Sequence, residues 1–407
     1  MTGDLIRKYS WPEGHWAWPV QLTHKHGVRA ANMVFTGGQV DLDSAGTVRN
    51  PGDVLAQCDG AMAYLARVLE DLGCDFNDLI RLVVYFIGDA AVEDRLMQQI
   101  ASLIGPQARP VINMIGLPEL CYKDMMIEIE GVAMRAPDDT PLPRTCLRLD
   151  DGPKLPEAFS HVVVCDGVLV TGDMSAMGPD GAVDRPGDVQ GQTRVMMDLL
   201  GQALALAGAD YGDVLKLNVY YAGDGTAEDW EGPARIRASY FANPGPTPTG
   251  MPLPGFPTPD LMTKIYVTAM QGDKTHVWPD GHWGWTTPLP YSHGTRAGRL
   301  IHVGGQVSLD ANANVLDPGD MVAQTRRAMK NVEAVLAEAG AGLDDVVKVT
   351  TYYQGSASAE ALHENLLIRS NSYTDPGPAT TGVPMPALVY RDMIIEIEVT
   401  AIAPEGA

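Results

Sequence analysis

The stretch NMVFTGGQV, residues 32–40, recurs as DGVLVTGDM at 166–174 and as RLIHVGGQV at 299–307. One glycine holds the same position in each copy, at spacings of 134 and 133 residues: Gly38, Gly172 and Gly305. A constant period as long as a small domain indicates that one folding unit is repeated along the chain. We therefore expect the 407 residues to contain three copies of this unit.

A helix follows the repeated strand in every copy. It starts at an aspartate, which can accept the free amides of the first turn, and ends 20 residues later at a glycine. The aspartates are Asp53, Asp188 and Asp320, and the glycines are Gly73, Gly208 and Gly340. A β-branched strand, a second helix and a last strand complete each copy, so that every unit reads strand, strand, helix, strand, helix, strand. This order predicts an α+β fold in which two helices cover one face of a β-sheet.

Pro-rich segments at 136–144 and 271–279 separate the copies. They give predicted boundaries for three units, 1–138, 139–272 and 273–407. Because a single unit leaves part of its sheet uncovered, we expect the three units to pack around a pseudo-three-fold axis as an internal pseudo-trimer.

Two tryptophan-rich octets precede the first and third copies, WPEGHWAW at 11–18 and WPDGHWGW at 278–285, and they hold six of the seven tryptophans. One interpretation is an aromatic flap that covers a sheet edge or a subunit contact. The other is a lid over a planar ligand, with His15 or His282 lining it.

The composition excludes several classes of partner. A formal charge of −22 opposes binding to phosphate backbones, and the five cysteines form no CxxC pair. No apolar run approaches the roughly 18 residues of a membrane-spanning helix, and the first residues lack the apolar core of a signal peptide. We therefore expect a cytoplasmic protein that binds neither nucleic acid nor membranes.

A cation and a carboxylate near the end of the first copy are candidates for a site. Arg109 lies between Ala108 and Pro110 in a stiff segment and can bind a carboxylate through two parallel hydrogen bonds, although a surface ion pair is the alternative. Glu128 and Glu130 alternate with isoleucines and so share one face of the last strand. That face is either solvated or directed into a cleft, where a glutamate can position water and move its proton.

His24 and His26 are spaced to lie on one face of a strand. A metal site would need a third ligand from elsewhere in the chain, so we expect no metal and interpret the pair as polar pocket lining or as hydrogen-bonded surface residues.

Each copy resembles the RidA/YjgF family of enamine and imine deaminases. The resemblance is carried by GGQ at 37–39 and 304–306, the helix DMVAQTRRAMKNVEAVLAEAG at 320–340, DVVKVTTYY at 345–353, ARPVINMIGLP at 108–118 and the closing IEIE. It covers nearly the whole chain three times and implies the chorismate-mutase-like fold of that family, whose subunits form trimers with ligand pockets in the clefts between neighbours.

The resemblance also implies functional residues. In the family, an Arg binds the substrate carboxylate, a Glu positions water, and a Gly amide and a Tyr complete the pocket. Residue by residue, these roles fall on Arg109 with Val111, Glu128 and Gly38 in the first copy, with His24 in place of the Tyr and as a candidate proton donor. The second copy has Gly172 but carries Pro248 and Lys264 at the Arg and Glu positions. The third copy keeps Glu396, Gly305 and Tyr291, with Thr380 at the Arg position, so the expectation is one complete site per chain.

The predicted activity is hydrolysis of a C=N, enamine or related C–N bond in a small carboxylate-bearing metabolite, which an aromatic or heterocyclic compound could supply. No cofactor is expected, and further association into a homo-oligomer stays open. The alternative is a non-catalytic small-molecule-binding or interaction protein on a degenerate scaffold. A ribonuclease activity, sometimes attributed to the family, fits poorly with the charge of −22.

Overall fold

The computed structural model describes residues 5, 7–355 and 359–404 and contains three sheets. The first unit consists of β1 (Arg7–Ser10), β2 (Gly27–Ala30), β3 (Met33–Thr36), α1 (Val54–Asp71), β4 (Leu79–Phe86), α2 (Ala90–Ile104), β5 (Val111–Gly116) and β6 (Ile127–Met134). The second consists of β7 (Arg144–Leu147), β8 (Val162–Cys165), β9 (Val168–Thr171), β10 (Met174–Ser175), α3 (Val189–Leu206), β11 (Val214–Ala222), α4 (Ala227–Ala238), β12 (Thr247–Leu253) and β13 (Thr263–Met270). The third consists of β14 (Thr275–Val277), β15 (Gly294–Ala297), β16 (Leu300–Gln306), α5 (Met321–Glu338), β17 (Val346–Gln354), α6 (Ala359–Ser370), β18 (Ala379–Met385) and β19 (Ile395–Ile402).

The three sheets have one topology. The order β1-β2-β3-β6-β4-β5 of the first unit is repeated by β7-β8-β9-β13-β11-β12 and by β14-β15-β16-β19-β17-β18, with the short β10 paired to β13. The predicted α+β fold of three fused units is confirmed. Two strands of each unit were not predicted. The first, β1, β7 or β14, pairs antiparallel with the next strand and covers its edge. The other is the edge strand β5, β12 or β18, which pairs parallel with β4, β11 or β17.

The predicted helix signals are present in the structure. The carboxylates of Asp53, Asp188 and Asp320 accept first-turn amides of α1, α3 and α5. The glycines that follow these helices adopt φ values of +79°, +74° and +73°, a conformation that costs glycine little.

The units contact one another in a closed cycle. In each contact, a backbone N–H before the second strand of one unit donates to the carbonyl of a proline before the edge strand β5, β12 or β18 of another unit. The N···O distances are 2.9 Å for Ser160 to Pro110, 3.1 Å for Ser292 to Pro246 and 3.2 Å for Lys25 to Pro378. The first unit thus joins the second, the second joins the third, and the third returns to the first.

All strands of the three sheets lie inside the predicted ranges 1–138, 139–272 and 273–407, while the boundaries themselves stay predictions. Across the described residues, no helix combines the length and the apolar character needed to cross a membrane.

A buried glutamine ties the main helix to the last strand in every unit. In the first unit the amide nitrogen of Gln57 donates to the carbonyls of Asn50 and Asp124, and its oxygen accepts from the amide of Met126. Gln192 and Gln324 make the same three bonds in the other units. The side chain thereby satisfies loop groups that have no strand or helix partner.

We predict that Gln57→Ala lowers the free energy of unfolding by about 2–4 kcal/mol, because it leaves a buried amide and two carbonyls without partners. Urea denaturation measures the loss. Gln98→Ala, at an exposed position on α2, is the control and should change stability little. Equal effects of the two substitutions would contradict the structural role of Gln57.

Candidate active site

A cavity with about 640 Å³ of empty space, part of it open to solvent, lies where the second and third units meet. The third unit contributes Glu396 from β19, Gly305 from β16 and Tyr291 from the segment before β15, and the second contributes side chains of β11 and α4. The structure therefore brings together the three residues that the sequence predicted for the third copy. Other side chains on its walls include Tyr221, Trp230, Arg237, Trp283, Trp285 and Tyr390.

Glu396 is held against the backbone of Gly305. A Cβ atom at Gly305 would lie 1.6 Å from Glu396 Oε1, so any larger residue there would displace the carboxyl group. Burial, followed by the charge of Glu398 on the same strand, raises the pKa of Glu396 to about 8, although Lys216 opposes the shift. The group is therefore a neutral acid at pH 7 and can donate a proton.

Arg237 on α4 supplies the cation of this cavity, and the sequence analysis missed it. Its side chain is buried, and burial lowers the pKa of its guanidinium. Several buried polar atoms of the cavity lack a hydrogen-bond partner at normal geometry within the described chain: Arg237 Nε and Nη1, Tyr221 Oη, Tyr291 Oη and Trp230 Nε1. Arg237 and Tyr291 are nevertheless close enough that each shifts the pKa of the other. All five atoms can donate hydrogen bonds, so together they suit an oxygen-rich anionic ligand.

The octet at 278–285 forms part of the cavity wall. Trp283 and Trp285 line it, and the Trp285 ring lies parallel to His293 at 5.3 Å. Trp278 is exposed, and His282 Nε2 lies 2.8 Å from Gln306 Oε1. Two tryptophan rings of the octet therefore line the cavity, as the lid interpretation expects, whereas His282 is bonded to Gln306 and is not among the residues that line it.

The junction between the third and first units holds an equivalent but smaller cleft of about 370 Å³. Glu128, Gly38, Trp16 and Trp18 occupy the positions of Glu396, Gly305, Trp283 and Trp285. The pKa of Glu128 is also raised to about 8 by burial and by Glu130, against the effect of Lys348.

The arginine of this second cleft is already engaged. Arg369 on α6 corresponds to Arg237, but its Nε and Nη2 donate to Asn365 Oδ1 and its Nη1 donates to Thr380 Oγ1. Prolines stand at the two equivalent positions of the second unit, Pro233 and Pro248, and their side chains cannot accept these bonds. This difference explains why the Arg237 guanidinium remains available.

Charged side chains fill the junction between the first and second units. Lys264 replaces the glutamate, and its Nζ lies 3.1 Å from Glu93 Oε1 and 3.6 Å from Asp173 Oδ2. Gly172 backs onto the carbonyl of Ile112 at this junction. Lys264 and its two carboxylate partners thus stand at the position that Glu396 holds at the second–third junction.

The structure corrects the prediction for Arg109. Its carbonyl accepts the Ser160 hydroxyl at the first–second junction, and its half-buried side chain borders an open surface depression with Asp75 and Arg135. Glu128 belongs to the third–first junction, roughly 20 Å away along the sheet at 3.3 Å per residue. The two residues predicted to share one site therefore lie in different places.

Strand pairing gives the reason for this error. Alignment of the three copies by sequence gave Arg109 the same position as Pro248 and Thr380. The pairing of the edge strands shows that the equivalent residue of the first unit is Ile112. None of the strands β5, β12 and β18 carries an arginine. A usable signal was present elsewhere: Arg237 and Arg369 both lie nine residues before the proline that joins the units.

Val111 and His24 also differ from their predicted roles. Val111 is fully buried in an apolar cluster, and its backbone forms an isolated parallel β-bridge with Ser160. The His24 Nδ1 atom lies 3.1 Å from the Pro378 carbonyl, and burial lowers the pKa of this ring to about 3, with a further contribution from Arg369. His24 is therefore neutral near pH 7, and its protonated form is not available as an acid.

His26 Nε2 lies 3.0 Å from the carbonyl of Trp16. Across the described ranges, no group of three or more His, Cys, Asp or Glu side chains is arranged to hold a metal ion.

Comparison with known proteins identifies the family of the chain. The family model described as endoribonuclease L-PSP matches residues 19–135 and 286–403. A RutC family protein of Pyrococcus abyssi is 36% identical over 112 residues, which are 28% of this chain and 85% of the relative. The 2-iminobutanoate/2-iminopropanoate deaminase of Mus musculus is 34% identical over 92 residues, or 18% of this chain and 68% of the relative.

A solved chorismatase structure shares the fold, with a TM-score of 0.52, 12% identity, and coverage of 80% of this chain and 93% of that chain. The matches define a protein of tandem RidA-like units. The chain belongs to the endoribonuclease L-PSP family, which confirms the resemblance to RidA/YjgF proteins.

We predict that Glu396 changes how stability depends on pH. Its pKa is about 8 in the folded protein against an ordinary value of 4.5, so its contribution to stability is present below pH 4.5 and is lost as the pH rises to 8. Buried histidines such as His24, with lowered pKa values, give the opposite slope below about pH 6.5. The informative range is therefore pH 6.5 to 8.

Between pH 6.5 and 8 the wild type should lose this contribution, whereas Glu396→Gln has none to lose. The unfolding free energy of Glu396→Gln, measured by urea denaturation, should therefore rise relative to that of the wild type, and the two curves should run parallel above pH 9. Glu333→Gln, at an exposed site on α5, should follow the wild type throughout. Parallel curves for Glu396→Gln across the whole range would show that Glu396 is ionised in the folded protein at neutral pH.

Proposed function

We propose that the cavity between the second and third units is the active site of a hydrolase that cleaves a C=N, enamine or related C–N bond in a carboxylate-bearing metabolite. The observation that carries this proposal is the group of unpartnered donors around Arg237 in the same cavity as a neutral Glu396. The donors match a carboxylate, and the acid matches a basic nitrogen or an electron-rich carbon.

The proposed reaction uses Glu396 as acid and then as base. Its carboxyl group protonates the imine nitrogen, or the enamine carbon to give the same iminium ion. The resulting carboxylate takes a proton from a water molecule as the oxygen attacks the iminium carbon. Glu396 then protonates the amino group of the carbinolamine, ammonia leaves, and the new hydroxyl returns a proton to Glu396 as the carbonyl forms.

Arg237 fixes the substrate by its carboxylate, and the hydroxyls of Tyr221 and Tyr291 add hydrogen bonds. The remaining walls are aromatic, with Trp230, Trp283 and Trp285 among them. Such walls favour a planar, conjugated substrate that is larger than a three- or four-carbon imino acid. We propose an imino or enamino acid that carries a ring.

The similarity to a 2-iminobutanoate/2-iminopropanoate deaminase supports the same class of reaction. All five cysteines are free thiols, which agrees with the proposed cytoplasmic location.

We predict that Arg237→Lys lowers kcat/KM for deamination of 2-imino-3-phenylpropanoate by about 10²-fold, because lysine cannot form the paired hydrogen bonds to a carboxylate. Glu396→Gln should abolish turnover. The imino acid is generated in the assay by an L-amino-acid oxidase, and the hydrolysis product, phenylpyruvate, is followed against the rate without protein.

Arg235→Gln is the matched control, because Arg235 lies on the same helix and faces solvent. It should keep wild-type activity, as should Arg109→Gln. Loss of activity in Arg109→Gln with full activity in Arg237→Lys would place the site at the wrong junction. Tight binding of phenylpyruvate without turnover of imino acids would instead favour the non-catalytic binding protein.

A further inference from the structure

A second polar cavity, of about 740 Å³, lies where all three units meet. Equivalent strands contribute one residue each at two positions. Arg81, Lys216 and Lys348 come from β4, β11 and β17, and Glu130, Tyr266 and Glu398 come from β6, β13 and β19. The first position is always a cation, whereas the second is a carboxylate in two units and a tyrosine in the other.

Two of the three possible ion pairs are formed. Lys348 Nζ lies 2.6 Å from Glu130 Oε2, and Lys216 Nζ lies 2.8 Å from Glu398 Oε2. Each pair joins the cation of one unit to the carboxylate of the next unit in the cycle. The same relation places Arg81 next to Tyr266, whose ring centroid is 5.0 Å from the guanidinium carbon.

Arg81 therefore lacks a carboxylate partner of its own. It donates to the Thr268 hydroxyl and the Val267 carbonyl, and its Nε has no partner in the described chain. Asp173 acts on Arg81 from outside the cavity, but it is held by Asn113, Met114 and Lys264. With three cations and two carboxylates at these positions, the cavity carries one excess positive charge.

His302 adds a donor to the same cavity. Its Nδ1 lies 3.2 Å from the Thr400 hydroxyl, and its Nε2 has no partner in the described chain. Burial, with Lys216 and Arg81 nearby, lowers the pKa of this ring to about 3, so the ring is neutral. If Nδ1 accepts the Thr400 hydroxyl, Nε2 carries the proton and donates into the cavity.

Both Arg81 and His302 are more than nine-tenths buried, at 9% and 7% exposure. An unpaired buried cation and an unsatisfied buried donor each cost free energy. A single negative ion that accepts from both would remove the two costs and neutralise the cavity.

We propose that the central cavity binds one small monovalent anion, such as a halide or formate, between Arg81 and His302. The ion replaces the carboxylate that Tyr266 does not provide and so completes the third charge pair of the ring. This site is distinct from the proposed hydrolase site, because no residue lines both cavities, although Glu398 lies two residues from Glu396 on β19 and contributes to its raised pKa.

Bromide is a suitable probe, because its anomalous scattering locates it in a crystal. We expect one anomalous peak beside Arg81 in wild-type crystals soaked in sodium bromide. We also expect the midpoint temperature of thermal unfolding to rise by on the order of 1–3 °C for each tenfold excess of bromide over its dissociation constant. Sodium gluconate is added to keep the ionic strength fixed.

Tyr266→Glu should remove both effects, because its carboxylate pairs with Arg81 as Glu130 and Glu398 pair with their lysines. Tyr266→Phe is the matched control, since it alters the same ring without adding charge, and it should keep the peak and the midpoint shift. Absence of a peak in the wild type would overturn the proposal. Equal bromide binding in Tyr266→Glu would also overturn it, because the excess charge would then have no part in the site.

Discussion

Three backbone hydrogen bonds close the chain into a ring, each from the start of one unit to the proline that precedes the edge strand of another. They cover sheet edges that would otherwise be exposed. They also fix which unit faces which, so that the glutamate on a last strand always meets the helix and edge strand of the preceding unit. Both the clefts and the central cavity depend on this cyclic pairing.

Fusion of the units into one chain allows the three junctions to differ. At the second–third junction, Pro233 and Pro248 cannot accept hydrogen bonds through their side chains, and Nε and Nη1 of Arg237 have no partner in the described chain. At the third–first junction, Asn365 and Thr380 hold Arg369 in place. At the first–second junction, Lys264 replaces the glutamate and pairs with carboxylates. The same backbone thus carries an open cleft, a narrower cleft and a charge-filled junction.

Much of the fold could be predicted from the sequence, because its signals are local and occur three times: the helix caps, the glycines and the strand patterns. Glu396, Gly305 and Tyr291 were named from the sequence because each occupies a position defined by the repeat, and the structure places them around one cavity. Arg237 was missed because its role depends on which face of α4 meets the next unit. Arg109 was misplaced because the register of β5 is set by its pairing with β4. A comparison of the strand sequences alone does not determine this register.

We propose that Arg237, at the second–third junction, is the residue of this chain that binds the ligand carboxylate. A crystal structure with bound phenylpyruvate tests it most directly. We expect the ligand carboxylate to lie within hydrogen-bonding distance of Arg237 and the ligand ring to lie against the tryptophans of the cavity. A ligand bound beside Arg109, with the Arg237 cavity free of it, would contradict the account.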